Sequence, residues 1–277
     1  MKYKLIASDM DGTLVNSKSE LTERTKSAII KAVEAGVYFV TATGRPFSNV
    51  QIVNNLFDKD MPFIVFNGAA AYMGKSEKLL FERFLDFPLA KEAFDIGQEK
   101  GIAQIVWTGP RLWANRRCEE TNRYQNLCEG LDMSIVTDLA LIKTVRWEPP
   151  PVKDEVKGFS KVLWIDHPNT IKKLSVEMCA HFGDRLKCVS SMAHFLEFVS
   201  RDAGKGTALA EIGKLLNIDK SEMIAIGDGY NDVCMLEYAG LGVAMENAPE
   251  DIKAKCDHIT SSNDNDGVAE VIERYIL

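Results

Sequence analysis

Apolar and polar positions in residues 1–83 follow an alternating pattern of short strands and amphipathic helices. Strands joined by helices predict a parallel sheet, and near-continuous apolar strands predict that both faces of that sheet are buried. The expected strands lie at about 5–8, 37–42 and 63–66, and the expected helices at 22–35 and about 47–57.

The pattern changes at about residue 84, becoming more irregular and more charged, and the α/β alternation returns at about residue 200. In the middle stretch, residues 161–165 predict a strand, residues 170–182 a helix, and the three prolines at 149–151 a loop. The last stretch predicts helices at 205–216 and 267–275, a helix ending near residue 239, and strands at 223–226 and 241–245.

These patterns together predict an α/β protein with two domains. The first is a doubly wound parallel sheet built from residues 1–83 and 200–277. The second is an α+β domain, residues 84–199, inserted into the first.

Two carboxylates follow the first apolar strand, in the segment Asp9-Met10-Asp11-Gly12-Thr13. Ligands of open α/β sheets bind at the carboxyl ends of the strands, where these two acids are expected. Neighbouring carboxylates remain ionised together only when a cation lies between them, and otherwise one of them takes up a proton. The segment therefore predicts a metal site or an acid/base pair, unless it is an ordinary Asp-Gly turn.

A second acidic cluster, Asp228, Asn231 and Asp232, follows the strand predicted at 223–226. Its oxygen atoms are ligands that suit Mg²⁺, although acids in such loops also cap helices. Two single residues stand at comparable positions: Thr43 ends a strand, and Lys205 lies between two glycines at a helix start. The Thr43 hydroxyl and nearby amides are suited to binding an anion, and Lys205 is suited to neutralising the charge of a phosphate. Together these residues describe a metal-assisted site for an anionic substrate.

Charge and composition exclude several other classes of protein. A net charge of −7 argues against nucleic acid as a partner. No stretch approaches the ~20 apolar residues that a membrane-spanning helix needs. The six cysteines form no C-x-x-C pair, so we expect reduced thiols in a cytoplasmic protein. The oligomeric state is not readable from the sequence.

The complete motif set resembles that of the haloacid dehalogenase superfamily. The order D-x-D-G-T at Asp9, Thr-Gly-Arg at Thr43, G-K-G at Lys205 and G-D-x-x-N-D at Asp228 matches its four motifs. The Thr-Gly-Arg-Pro form, Asn67-Gly68-Ala69 and the position of the insert resemble the Cof-type sugar-phosphatase branch. The resemblance covers both halves of the predicted core, and it implies a Rossmann-like core with a C2-type cap.

The resemblance also implies a role for each residue of the site. Asp9 would be the nucleophile that forms an aspartyl-phosphate, and Asp11 the general acid and then the base. Mg²⁺ would be held by the Asp9 carboxylate, the Asp11 backbone carbonyl and Asp228, with Asp232 acting through water. The phosphate would be held by Thr43, Lys205, Asn231 and the amides of Met10 and Gly44.

Arg45 and Asn67 are expected at the same edge of the sheet, where either could contact the leaving group; a structural salt bridge is the alternative role of Arg45. We therefore expect a Mg²⁺-dependent phosphatase acting on small phosphorylated metabolites, most readily sugar phosphates. Two alternatives stay open from the sequence. The same fold supports a phosphotransferase or phosphomutase, and a non-enzymatic protein could use the site to sense a phosphorylated metabolite.

A last acidic segment, Asp264, Asp266, Gly267 and Glu273, has the spacing of a calcium loop but carries Ser262 at the first ligand position. Because the apolar helical pattern begins directly after Gly267, we expect these acids to cap a helix N-terminus.

Overall fold

The computed structural model describes residues 2–56, 58–108, 111–128, 132–144 and 158–277. The strands formed by these residues are β1 (Leu5–Ser8), β2 (Tyr38–Ala42), β3 (Pro62–Val65), β4 (Ala70–Met73), β5 (Leu79–Glu82), β6 (Ala103–Thr108), β7 (Arg111–Ala114), β8 (Met133–Ile135), β9 (Lys161–Ile165), β10 (Leu186–Val189), β11 (Phe195–Ser200), β12 (Met223–Gly227), β13 (Leu241–Met245) and β14 (His258–Thr260).

The α-helices of the same residues are α1 (Glu23–Glu34), α2 (Gln51–Asn54), α3 (Phe87–Glu99), α4 (Glu119–Leu127), α5 (Pro168–Phe182), α6 (Lys205–Leu216), α7 (Val233–Leu236), α8 (Glu250–Lys253) and α9 (Gly267–Tyr275). The chain divides into two compact units, residues 1–81 with 204–277 and residues 82–203. The domain limits inferred from the sequence, 1–83 with 200–277 and 84–199, stay a prediction.

The first unit carries a sheet whose strand order is β14-β13-β12-β1-β2-β3-β4-β5. The strands from β14 to β3 pair in parallel, as the alternation of strands and helices predicts. Strands β1, β12 and β13 are buried at every position, so side chains fill both faces of the sheet. The carboxyl ends of β1, β2, β3 and β12 consequently meet at one edge, where each is followed by polar residues.

One end of this sheet departs from the predicted parallel order, because β4 pairs antiparallel with β3. The two strands form a hairpin, closed by the tight turn Phe66–Gly68. Asn67 and Gly68 have φ angles of 56° and 88°, and Asn-Gly pairs favour hairpin turns because both residues tolerate positive φ. The helix expected at about 47–57 is also shorter. It consists of a 3₁₀ turn, Phe47–Val50, and the single turn α2, and residue 57 lies outside the described residues. The helix expected to end near 239 is likewise only the short α7, Val233–Leu236.

The second unit is an α+β structure around a sheet of order β10-β11-β9-β6-β7-β8. Its strands pair antiparallel, except for β7 and β8, which are parallel. One apolar core of this unit contains Phe94 of α3, Phe182 of α5, Trp164 of β9 and Phe198 of β11. Two helices therefore cover one face of the sheet, and the fold class is the α/β core with an α+β insert that the sequence predicts.

The remaining sequence expectations divide by what the structure describes. The proline loop at 149–151 lies outside the described residues. The six cysteines form no disulfide bond. Among the described residues, no helix combines the length and the apolar character needed to cross a bilayer.

Candidate active site

Three carboxylates meet at the carboxyl edge of the first unit's sheet. Asp9 directly follows β1, Asp228 directly follows β12, and Asp232 precedes α7. One carboxylate oxygen of each aspartate lies within 4.8 Å of the corresponding oxygens of the other two. Among the described residues, these three side chains form the group that could hold a metal ion. Asp9 and Asp232 are buried, and Asp228 is partly exposed. Oxygen ligands of this kind fit a hard divalent cation such as Mg²⁺.

Lys205, the first residue of α6, lies inside this carboxylate cluster. Its Nζ donates to Asp9 Oδ1 at 2.6 Å and to Asp232 Oδ1 at 2.5 Å, and its side chain has no exposed surface. Although burial lowers the pKa of Lys205, the charges of Asp232 and Asp9 raise it above its usual value. Lys205 therefore stays protonated, and one ammonium faces three carboxylates.

This excess of negative charge changes the pKa values of the carboxylates. Burial, followed by repulsion from Asp232, raises the pKa of Asp9 well above its usual value despite the contact with Lys205. Burial likewise raises the pKa of Asp228 to about 6, against a hydrogen bond from Thr13 that lowers it. A buried cluster with excess negative charge is stabilised by a bound cation, which is the physical requirement of a metal site.

Asp232 also organises the loop that follows β12. Its Oδ2 accepts the backbone N–H groups of Asp228 at 3.1 Å and Gly229 at 2.9 Å, while its Oδ1 accepts from Lys205. A side chain on Gly227 would start 2.6 Å from Asp232 Cβ, so the loop needs glycine there. Both oxygens of Asp232 therefore already accept hydrogen bonds.

Asp228 is held by the loop that follows β1. Thr13 Oγ1 donates to Asp228 Oδ1 at 2.7 Å. Gly12 has a φ of 77°, and a Cβ at this position would lie 2.4 Å from Asp228 Oδ2. Gly12 is therefore required both for the turn and for the close approach of the two loops. The carbonyl of Met10, a buried residue, closes the same turn by accepting from the amides of Leu14 and Val15.

Asp11 is not one of the three grouped carboxylates, although its charge acts on Asp228 and the sequence pairs it with Asp9. Strand β1 ends at Ser8, so the alternation of a strand does not govern the direction of the two side chains. Arg45 binds both oxygens of Asp11, through Nε at 2.9 Å and Nη2 at 2.5 Å. The Asp11 side chain is therefore held by Arg45, which forms the salt bridge considered as its alternative role, and its place in the site stays a prediction.

The loop after β2 brings the predicted Thr43, Gly44 and Arg45 to the same edge. Thr43 is fully buried, and its Oγ1 accepts the Arg45 backbone N–H at 3.0 Å. The Thr43 N–H donates to the carbonyl of Ile64 in β3 at 2.9 Å, which extends the pairing of β2 and β3 beyond the strands. This loop is thereby fixed to the neighbouring strand.

Asn67 and Asn231 come together, although 164 residues separate them. Asn231 Nδ2 donates to Asn67 Oδ1 at 3.0 Å. Asn67 is buried in the turn after β3, and Asn231 lies in the loop that joins Asp228 to Asp232. Every residue predicted for the site thus lies in a loop that follows β1, β2, β3 or β12, or at the start of α6.

Sequence reasoning missed Thr13 and Asn247. Asn247 Nδ2 donates to the Gly12 carbonyl at 2.8 Å and lies 3.5 Å from Asp228 Oδ2, so it contacts both halves of the site. The available signal was its position two residues after β13, the same placement that identified the other polar clusters.

The acids expected to cap α9 have different partners. Asp264 Oδ1 accepts the Ser17 N–H at 2.8 Å, and Asp266 Oδ1 accepts the hydroxyls of Thr22 and Thr25. Asp266 occupies the N-cap position of α9 with a φ of 60°, but its side chain makes no cap hydrogen bond. The start of α9 at Gly267 is as predicted. These acids instead fix the residues around α1.

Comparison with known proteins agrees with the site geometry. Residues 6–272 match the model of the haloacid dehalogenase-like hydrolase family. Bacillus subtilis YxeH is 32% identical over 279 residues, covering 99% of both chains. The 5-amino-6-(5-phospho-D-ribitylamino)uracil phosphatase YwtE of Bacillus subtilis is 30% identical, covering 99% of this chain and 98% of YwtE.

A solved structure is similar as well. The crystal structure of a haloacid dehalogenase-like hydrolase from Bacteroides thetaiotaomicron has a TM-score of 0.81 and 28% identity, with 98% of this chain and 99% of that one covered. The chain is therefore a phosphatase of the haloacid dehalogenase-like hydrolase family, in its Cof-type branch.

Proposed function

We propose that the protein is a Mg²⁺-dependent phosphatase that hydrolyses small phosphomonoesters through an aspartyl-phosphate on Asp9. The observation that carries the proposal is the surroundings of Asp9: a buried carboxylate at a strand end, bonded to one lysine and adjacent to two further carboxylates. A carboxylate can attack a phosphate monoester only when positive charge offsets their repulsion. Lys205 and a divalent cation together provide that charge.

We assign the metal to Asp9, Asp228 and the backbone carbonyl of Asp11, with Asp232 acting through water. The donor set fits Mg²⁺, because it consists of oxygens with an excess of negative charge. The bound ion would offset the charge of the phosphate and of the attacking carboxylate. Thr43, Lys205, Asn231 and the amides of Met10 and Gly44 are the groups to which we assign the phosphate.

The covalent step then uses groups of the chain. Because Lys205 contacts Asp9 Oδ1, we assign the attack to Oδ2. An Oδ2–phosphorus bond forms while the bond from phosphorus to the leaving oxygen breaks, and Asp11 donates a proton to that oxygen. In the second step Asp11 takes a proton from water, whose oxygen attacks phosphorus, and Asp9 leaves as a free carboxylate with release of phosphate.

Arg45 has a defined consequence for this sequence of steps. Both oxygens of Asp11 accept from its guanidinium, so a proton or a leaving group at Asp11 competes with one of those bonds. We propose that the leaving group, or the proton itself, displaces the guanidinium from one oxygen. An Arg45→Lys variant, which cannot form the paired contact, would show a changed pH profile of kcat if this exchange occurs.

The substrate class is also a proposal. YwtE, whose name gives a phosphorylated ribityl compound as its substrate, aligns with nearly the whole chain. We therefore place phosphorylated sugars and sugar alcohols first among the substrates. The second unit accounts for residues 82–203, and we propose that it acts as a lid that excludes water while the intermediate forms.

The test is phosphate release across a panel of small phosphomonoesters, with Mg²⁺ or with EDTA, for the wild type and Asp9→Asn. We expect release that requires Mg²⁺ and falls at least about 10³-fold in the variant, because the nucleophile is lost. Asp184→Asn, an exposed carboxylate of the second unit, is the matched control and should retain full activity. Normal turnover by Asp9→Asn would refute the nucleophile, and isomerised product without free phosphate would indicate a mutase.

A further inference from the structure

The turn after β3 has an unusual backbone. Phe66, Asn67 and Gly68 have consecutive positive φ angles of 51°, 56° and 88°. Left-handed backbone is accessible to glycine and tolerated by asparagine, but it is unfavourable for a bulky residue such as phenylalanine. Phe66 and Asn67 are also buried, each with 3% of its surface exposed. Such a conformation persists only where surrounding contacts hold it, and it is found preferentially at functional sites.

The backbone of this turn contacts two other loops of the site. The Phe66 N–H donates to the Arg45 carbonyl at 3.2 Å, and the Asn67 N–H donates to the Thr43 carbonyl at 3.0 Å. A Cβ added to Gly68 would lie 2.2 Å from the carbonyl oxygen of Gly204, the residue before Lys205. The turn therefore lies between the loop after β2 and the start of α6, with no room for a larger residue at Gly68.

The side chain of Asn67 reaches a third loop, because Asn67 Oδ1 accepts from Asn231 Nδ2 at 3.0 Å. An asparagine carboxamide has two N–H donors. Engaging one of them with a fixed acceptor decides the direction of the other and of the carbonyl oxygen. The left-handed backbone of the turn is what places Asn67 Oδ1 where this hydrogen bond forms.

We propose that Asn67 is a positioning residue that acts through Asn231. Asn67 fixes the Asn231 carboxamide so that its second N–H is aimed at the phosphate, and Asn67 does not itself contact the leaving group. This inference rests on the proposed phosphate role of Asn231. It replaces the contact with the leaving group that the position of Asn67 in the sequence suggests.

The test separates the two roles with inorganic phosphate, which has no leaving group. Asn67→Gly keeps a residue that readily adopts positive φ and removes the whole carboxamide, including the Oδ1 acceptor. The expected result is roughly tenfold weaker binding of inorganic phosphate in calorimetry with Mg²⁺, the loss typical of one hydrogen bond. KM should rise by a similar factor for every substrate, with kcat nearly unchanged, since ground-state and transition-state binding are lost together.

Asn217→Gly is the matched control. Asn217 also has a left-handed backbone, with a φ of 55°, but it is exposed at the end of α6. This variant removes an asparagine side chain at positive φ and should leave phosphate binding and turnover unchanged. Thermal unfolding of both variants shows whether each one keeps the folded structure. If Asn67→Gly does not fold, Asn67→Ser, whose side chain is too short to reach Asn231, takes its place.

The decisive comparison adds Asn231→Ala alone and combined with Asn67→Gly. If Asn67 acts through Asn231, the double variant binds inorganic phosphate no more weakly than Asn231→Ala. Additive losses, or phosphate binding by Asn67→Gly equal to that of the wild type, would overturn the proposal. An effect on turnover that differs between substrates but spares inorganic phosphate would instead place Asn67 against the leaving group. Calorimetry with phosphate needs no turnover, so failure of the proposed hydrolysis is recognised separately.

Discussion

Each unit of the protein buries a lysine against carboxylates, and the two clusters differ in their balance of charge. In the first unit, Lys205 contacts Asp9 and Asp232, with Asp228 close by, so one cation faces three acids. In the second unit, Lys161 forms an ion pair with Glu197, and both side chains are almost completely buried. The first cluster has an excess of negative charge, whereas the second joins one lysine to one glutamate.

The surroundings of the two lysines also differ, in the kind of residue that packs around each. Lys161 lies near the ring of Tyr124, whose hydroxyl accepts a hydrogen bond from Trp107 and whose pKa is raised to about 12 by burial. Burial lowers the pKa of Lys161, but Glu197 raises it above its usual value, so Lys161 stays protonated. Apolar and aromatic packing around a matched pair indicates a structural role. Glycine-rich strand ends around an unmatched cluster indicate a site for ligands.

The largest expected effect follows from removing the lysine of the unmatched cluster. Lys205→Met would lower kcat/KM at least about 100-fold, because it removes positive charge from the place where phosphate charge must be offset. Lys214→Met, an exposed lysine on the same helix, is the control and should retain full activity. Phosphate release from the best substrate of the panel measures both; near-normal turnover by Lys205→Met would contradict the assignment.

The corresponding change in the second unit should act on stability. Lys161→Met would lower the free energy of unfolding by about 3–5 kcal/mol, because the buried Glu197 loses its ion-pair partner Lys161. The double variant Lys161→Met, Glu197→Met should recover most of that loss, since both charges are removed together. Chemical denaturation of the three proteins checks the prediction. A double variant as unstable as the single one would show that the pair does more than balance charge.

The excess charge in the first unit gives a prediction whose sign depends on metal. In EDTA, Asp228→Asn should raise the unfolding midpoint by roughly 2–4 °C, because a partly buried negative charge is removed from a repulsive cluster. Addition of Mg²⁺ should stabilise the wild type and have little effect on the variant. Thermal unfolding of both proteins with and without Mg²⁺ tests this prediction. Equal shifts of the two unfolding midpoints on addition of Mg²⁺ would contradict it.

The smallest expected effect concerns Glu82, a partly buried carboxylate that accepts from Ser160 Oγ at 2.8 Å. Burial raises its pKa above the usual value, so the ionised form is disfavoured in the folded protein. Protonated Glu82 therefore contributes to the stability of the folded protein at low pH, and this contribution is lost as the pH rises through the pKa of Glu82 in the folded state. Glu82→Gln should be slightly more stable than the wild type at pH 8, by about 1 kcal/mol or less, and the difference should vanish at pH 4. Denaturation at both pH values measures it, and a destabilised variant at pH 8 would contradict it.

The carboxyl edge of the first unit was predictable because a parallel sheet gathers its strand ends at one edge. Asp9, Thr43 and Asp228 each directly follow an apolar strand, and that placement is visible in the sequence. The order of the strands need not be known for this inference, since the site is defined by the ends of several neighbouring strands.

The pairings within the site were not predictable, because they depend on where each strand ends and how each loop turns. Strand β1 ends at Ser8, so Asp11 lies in the following loop, where its side chain pairs with Arg45. The bond between Asn67 and Asn231 requires a left-handed turn 164 residues earlier in the chain. Lys161 and Glu197 meet because the register of β9 and β11 places them diagonally on one face of the sheet.

The most direct measurement of the contrast between the two clusters is calorimetric titration of Mg²⁺ into the wild type, Asp228→Asn and the double variant Lys161→Met, Glu197→Met. We predict one Mg²⁺ site per chain in the wild type, loss of that site in Asp228→Asn, and unchanged binding in the double variant. No binding of Mg²⁺ by the wild type, or equal binding by Asp228→Asn, would contradict the conclusion that the unmatched carboxylates form the metal site.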